Sequence, residues 1–459
     1  MTESGTTIPL DRALGINRVV DNIDELVSLG EQFVSNAPHG TPPCCAWDAG
    51  SLSRRHSSKP VTPHQTILLD MGGTHTKVAT HNTSGEWALL FDHLNDWFEP
   101  RRDGSLPPLQ GFFRVLVQEV VASLPSLRTG EVPLRVGVIW SNQIKTRRFS
   151  HRGTTGVTGI VHGYQSGGYR KGEWFLKGIH NGDDIGALLL AEFAHGGITP
   201  EVMVIGNDTL FTLFAVPGAH AGVVMSSGGN CTLVGISETE RDELFNSELG
   251  GVFMLPEALL SEGDKEFATS RGISLISLEE LSAGNWFPSM VTAHVIAAGR
   301  LPEGRALAPI ASALIAESLS LTNRALCDLL LDSDTIFGSF SPASIEALRL
   351  LTRSLVERGA TLAGIMTYLS VVTQLRAGEK KALVSLDSSM GRYFPHYFDT
   401  MRRCISRITL PGHAVETVLV HPIELASGGD ISVPLQGAAL LVESTTTSSL
   451  ASSTERTPG

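Results

Sequence analysis

Two short apolar runs in this chain each lead into a glycine-bearing turn, and about 155 residues separate the turns. The first run is Thr66-Ile67-Leu68-Leu69, followed by Asp70-Met71-Gly72-Gly73-Thr74-His75-Thr76-Lys77. The second covers residues 221–225 and runs into Ser226-Ser227-Gly228-Gly229-Asn230. Adjacent glycines let a backbone turn sharply, so that its N–H groups can face phosphate oxygens. Between the turns, Val202-Met203-Val204-Ile205 reads as a buried strand with Asn207-Asp208-Thr209 at its exit. Ligands gather at strand ends of α/β sheets, because side chains there project into a crevice. Two strand–turn units with a strand-end Asp between them predict two similar lobes facing one nucleotide.

The remaining pattern fits that frame. Ile16, Val20, Ile23, Val27, Phe33 and Val34 recur at helical spacing, and residues 36–63 read as irregular connection. Strands at 78–81 and 87–91 complete a meander, a helix follows over 109–124, and 134–140 is another buried strand. Residues 141–171 show no periodicity and read as a long loop, functional or mobile. A helix is expected over 183–193, and the chain beyond 230 reads as mainly helical. Ser341-Pro342 there is an N-cap with proline at the first helical position. Strands are expected at 384–386 and 417–420, and helices at 395–407 and 436–442. From 443 the tail is low in complexity and is expected to be disordered.

At 459 residues the chain suits two lobes rather than one compact domain. A net charge of -12 argues against a nucleic-acid or anionic-membrane surface, so an anionic ligand needs a local positive site. No run reaches the length of a membrane span, and the N-terminus lacks the pattern of a secretory signal. Five cysteines without zinc-type spacing point to reduced thiols in the cytoplasm.

Taken alone, each feature also has an ordinary structural reading. Gly72-Gly73 and Gly228-Gly229 suit hairpin turns, and Asp208 suits a helix N-cap. The P-loop spacing is absent, and the segment after Gly73 reads as strand rather than helix. A carboxylate at the place of Asp70 can hold magnesium through water. One at the place of Asp208 can take a proton from an attacking hydroxyl.

In order along the chain, these and further segments resemble the eukaryotic-type hexokinases and glucokinases, sugar kinases of the actin-like ATPase (ribonuclease H-like) fold. Residues 70–77 resemble the phosphate motif DxGGTNxR, with His75 in place of its Asn and Lys77 in place of its Arg. WFLKGI over 174–179 resembles the sugar-binding WTKGF, and VIGNDT over 204–209 the strand bearing the catalytic Asp. Residues 226–230 fall on the second phosphate motif GTGxN, NSELG over 246–250 on NxEWG, and VSLDSS over 384–389 on the adenosine loop VGVDGS. Pro395-His396 and Gly437-Ala438-Ala439 also match.

The resemblance implies an α/β, two-lobed fold with a central cleft. A helix and connection (1–60) would pack on the large lobe, 61–206 would form the small lobe and 207–432 the large one. A C-terminal helix (433–442) would return to the small lobe, ahead of the tail 443–459. It implies ATP and Mg²⁺ as cofactors, a small-molecule sugar as partner, and a monomer or homodimer. Asp208 would be the general base, acting on the 6-OH of a hexose. Ser141, Lys177, Asn207, Asn230, Glu248 and Ser289 would lie at the sugar. Asp70 would position Mg–ATP, with Gly72, Gly73, Thr74, His75, Lys77, Ser226, Ser227, Gly228 and Gly229 at the phosphates and Ser388 and Ser389 near the adenosine.

The chain departs from the family at several points. Leu176 replaces the threonine of WTKGF, Ser289 a second glutamate, and Ser385 and Ser388 both glycines of the adenosine loop. Losing a partner of a buried hydroxyl costs about 1–3 kcal/mol. A different sugar acceptor and a weakly catalytic sugar sensor are therefore the alternatives to a glucose kinase.

Overall fold

The computed structural model describes residues 10–36, 45–48, 64–72, 75–82, 84–94, 109–124, 127, 132–140, 144–151, 153–161, 180–225, 230–236, 242–246, 249–333 and 336–445. In chain order its strands begin with β1 (Cys45–Asp48), β2 (Gln65–Met71), β3 (His75–Asn82), β4 (Trp87–Leu94) and β5 (Leu134–Trp140). Then come β6 (Ile144–His151), β7 (Thr154–Val161), β8 (Val202–Gly206), β9 (Ala221–Val224) and β10 (Asn230–Ile236). The last are β11 (Asp242–Asn246), β12 (Lys381–Asp387), β13 (Ala414–Leu419), β14 (Ile423–Glu424) and β15 (Asp430–Ile431).

Of the two larger sheets, the first has the order β4-β3-β2-β5-β8-β7-β6 and the second β1-β11-β10-β9-β12-β13, while β14 and β15 pair as a small separate sheet. In each larger sheet, an antiparallel meander (β2-β3-β4 or β9-β10-β11) is extended beside its first strand by two parallel strands. The same strand order therefore occurs twice, as the paired turns predict. In the first sheet both faces are covered, which is why β2 and β5 read as unbroken apolar runs. Ile67, Leu69, Val136, Val138 and Trp140 pack with the helices Leu109–Ser123 and Ile185–His195. Leu68 and Ile139 pack on the other side with Asp208–Phe214 and the C-terminal helix Val433–Ser444. The second sheet lies on a larger helical core around Pro342–Leu369, where Ser341 caps the Ser344 N–H and Pro342 takes the first position.

The expected loop over 141–171 is corrected by the structure between 144 and 161, whereas 141–143 and 162–171 lie outside the described residues. Residues 144–161 form an antiparallel hairpin, β6–β7, with Gly153 in the left-handed region (φ 88°) at the turn. The glycines within its strands mark close packing, not turns. A Cβ on Gly156 would stand 1.7 Å from the Met203 carbonyl oxygen of β8. The irregular stretch 36–63 likewise contains β1, antiparallel to β11 and in contact with β6. The C-terminal helix runs through Ser444, so residues 443–444 belong to it, and 446–459 lie outside the described residues. No described helix is long and apolar enough to cross a membrane.

The larger core buries charge. Asp264, Arg358 and His294 have no solvent exposure. Arg358 donates to both Asp264 oxygens at 2.7 and 2.9 Å, while Ser261 Oγ stands 2.7 Å from Asp264 and 2.8 Å from His294 Nε2. Burial would raise the Asp264 carboxyl, but Arg358 and then His294 hold it below the usual range. Burial drives His294 down to about 4 despite the nearby Asp264.

Breaking this network should be costly, because Arg358→Met leaves a buried carboxylate without its cation. We expect urea unfolding to show a loss of about 3–5 kcal/mol, and a loss below about 1 kcal/mol would contradict the account. Unfolded His294 takes up a proton below about pH 6.5, whereas folded His294 stays neutral until about 4. Its contribution is therefore present above pH 6.5 and lost as pH falls toward 4, and His294→Gln should flatten that part of the stability curve.

Candidate active site

Three carboxylates at strand exits of the two larger sheets are near enough to act on one another electrostatically. Asp70 lies near the end of β2, Asp387 ends β12, and Asp208 opens the helix that follows β8. Local sequence explains the last placement. Asn207, at the N-cap, accepts from the Leu210 N–H at 2.9 Å and the Thr209 hydroxyl at 3.0 Å. Asp208 is thus the first helical residue instead of the cap, and its Oδ1 accepts from the Thr209 N–H at 2.9 Å. The helix is pressed between two backbones. A Cβ on Gly222 of β9 would come within 2.3 Å of the Thr209 carbonyl oxygen, and one on Gly437 within 1.7 Å of that of Phe211.

Asp70 keeps a little exposed area, yet protein encloses its carboxyl closely. Ser432 stands at the N-cap of the C-terminal helix without capping it; its hydroxyl donates to Asp70 Oδ2 at 3.2 Å instead. Burial and repulsion from Asp208 lift the Asp70 carboxyl to about 7, with a smaller push from Asp387, against the pull of Ser432 and Lys77. Asp387 is buried and ion-paired to Arg392 at 2.6 Å, and Arg392 also donates to the Val420 carbonyl at 3.1 Å. Burial raises the Asp387 carboxyl, Arg392 opposes it, and Asp208 and Asp430 push it up further. Arg392 therefore offsets the charge of Asp387, whereas Asp70 ionises only near neutral pH and can exchange its proton for a cation.

The other expected site residues divide into three groups. Some are engaged in the fold: the Gly72 N–H donates to the His75 carbonyl at 3.0 Å, closing the hairpin. Lys77 pairs with Asp430 at 2.9 Å and Asp92 at 3.4 Å, and His75 lies 2.8 Å from Asp92. Ser388 is buried and caps the Gly391 N–H at 3.0 Å. Others are placed by the elements they open: Ser389 starts a short helix against Gly284, Asn230 starts β10, and Ser289 is exposed in the first turn of the helix Phe287–Gly299. Gly73, Thr74, Ser141, Lys177, Ser226, Ser227, Gly228, Gly229 and Glu248 lie outside the described residues, as does Leu176.

Sequence reading missed Asp387, Arg392, Asp430 and Ser432. Asp387 carried the same signal as Asp208, a carboxylate at a strand exit. Ser432 gave none, since it meets Asp70 across 362 residues.

No family model and no curated protein matches the sequence. Solved structures do match the fold. A hexokinase from Schistosoma mansoni complexed with glucose has a TM-score of 0.57 at 15% identity, covering 95% of this chain and 99% of that one. A second structure described as hexokinase has a TM-score of 0.56 at 17% identity, covering 96% and 97%. The chain thus has the two-lobed, actin-like ATPase fold of these hexokinases.

The raised Asp70 carboxyl sets a stability test in Mg²⁺-free buffer. The unfolded residue ionises near pH 4, whereas the folded one holds its proton to about 7, so the native state is progressively disfavoured as pH rises between them. Asp70→Asn should raise the melting temperature most at pH 8, by clearly less at pH 5, and hardly at all below pH 4. Equal shifts at pH 8 and pH 5 would contradict the assignment.

Proposed function

We propose that this chain is an ATP-dependent sugar kinase of the hexokinase/glucokinase type, phosphorylating a hexose at its 6-OH. The observation that carries the reading is the electrostatic proximity of Asp70, Asp208 and Asp387 at strand exits of the two larger sheets, in the fold of hexokinases. In this reading the small lobe is 61–206 and the large lobe 207–432, with the sugar between them. Closure expels water that would otherwise accept the phosphoryl group.

Asp208 accepts the proton of the attacking hydroxyl while that hydroxyl's oxygen bonds the γ-phosphorus. The bond to the β-phosphate bridging oxygen breaks and ADP leaves. The Asn207 cap and the Thr209 N–H fix the Asp208 carboxylate for that role. Lys177, Asn207, Asn230 and Glu248 orient the sugar, the turns at 72–74 and 226–229 cradle the phosphates, and Ser389 lies toward the adenosine. The oxygen donor set suits Mg²⁺, which when bound with ATP neutralises phosphate charge. In this reading Asp70 would hold the ion through water. A kinase for another acceptor is favoured by Ser289, which is exposed and supplies no carboxylate where the family has glutamate.

ADP release from MgATP, measured across hexoses, amino sugars and polyols, tests both readings. Asp208→Ala should lower kcat by about 10²–10⁴-fold with little change in sugar affinity. Turnover restricted to a sugar other than glucose would select the rebuilt acceptor pocket. Retained sugar or ATP binding without turnover on any acceptor would reject the kinase and leave a sensor.

A further inference from the structure

The β6–β7 hairpin and the helix Ile185–His195 form the walls of an open cavity of about 400 Å³. It lies away from the carboxylates. Thr154 and Pro200, at the entry ends of the parallel strands β7 and β8, line it, whereas Asp208 follows the exit of β8. Five residues of strand put those ends roughly 15 Å apart.

Its chemistry derives from strand alternation. Arg147, Phe149 and His151 are two residues apart on β6 and share the face that lines the cavity. Leu190 and Ala191 from the helix, with Ile198 after it, supply an apolar floor. Asp184, at the helix N-cap, is already engaged, accepting from Arg147 at 2.9 Å, from the Ala187 N–H at 2.9 Å and from the Thr158 hydroxyl. The Arg147 side chain is 65% exposed, so most of its five donors remain available.

Charge selects the ligand further. The described hairpin strands hold Lys145, Arg147 and Arg148 and no Asp or Glu, in a chain of net charge -12, and Arg147 is the one of these that lines the cavity. A basic hairpin over an apolar floor attracts negative charge at its rim and apolar groups beneath it. Pockets of about 300–1,000 Å³ are the size that accepts small organic ligands. We propose that this cavity is a second ligand site, separate from the carboxylate site, that takes a small organic anion with an apolar body, such as an arylalkyl carboxylate.

The probe is 4-phenylbutyrate, titrated calorimetrically into the full-length protein. One saturable site is expected, with affinity about tenfold lower in Arg147→Gln. The neutral 4-phenylbutanol should bind more weakly than the carboxylate by a similar factor. Ala191→Trp, which fills the floor, should abolish binding, and circular dichroism establishes that this variant is folded. Asp208→Ala should bind as the unaltered protein does, whether or not the kinase reading holds. The proposal is overturned if no saturable binding appears at millimolar probe. It also fails if Arg147→Gln binds unchanged, or if saturating sugar and MgATP displace the probe competitively.

Discussion

The helix Asp208–Phe214 is the element on which the architecture turns. It touches β5 of one sheet, β9, β10 and β12 of the other, and the C-terminal helix. So many neighbours can reach so short a helix only if backbones approach without intervening side chains. Gly222 and Gly437 allow this from opposite directions, because a Cβ at either would overlap a carbonyl of the helix. Shape therefore fixes where Asp208 stands before any charge is considered. An alanine at either glycine would have to move the helix, and the carboxylate with it.

Electrostatics at the same junction runs against stability. Asp70, Asp208, Asp387 and Asp430 act on one another, and enclosure strengthens the repulsion. The fold offsets part of it with Arg392 at Asp387, Lys77 at Asp430, and the Ser432 hydroxyl at Asp70. The uncompensated remainder shows on Asp70, whose carboxyl is lifted to about 7. Residual negative charge of this kind is a cost to the folded chain and an attraction for a cation carried in with a polyphosphate, so the strain and the proposed use share one origin. The buried Asp264–Arg358 pair is the contrast: both oxygens have partners, and that site has no charge left to offer.

The edge hairpin shows a different use of charge. The first sheet ends at β6, where an apolar surface outside would invite pairing with another chain. Here β6 carries lysine and arginine, and β1 lies against it. Those basic groups and β1 guard the edge, and Arg147, which lines the cavity, is the group proposed to recognise an anion.

The sequence alone determined the strands that are buried on both faces, the helix starts with strong caps, and the two strand–turn units separated by a strand-end Asp. These are local properties: apolar period, cap chemistry and turn residues act over a few positions and survive in any tertiary context. It misread 144–161 as part of a loop, because glycine is ambiguous between a turn and a close approach of two strands, and only the pairing of β7 with β8 distinguishes them. It pointed to Asp70 and Asp208 but could not see Ser432 reach Asp70, nor Arg392 pair with Asp387. Those contacts depend on which distant segments the folded chain brings within hydrogen-bonding range, and an amino-acid pattern read over a few positions holds no record of that distance.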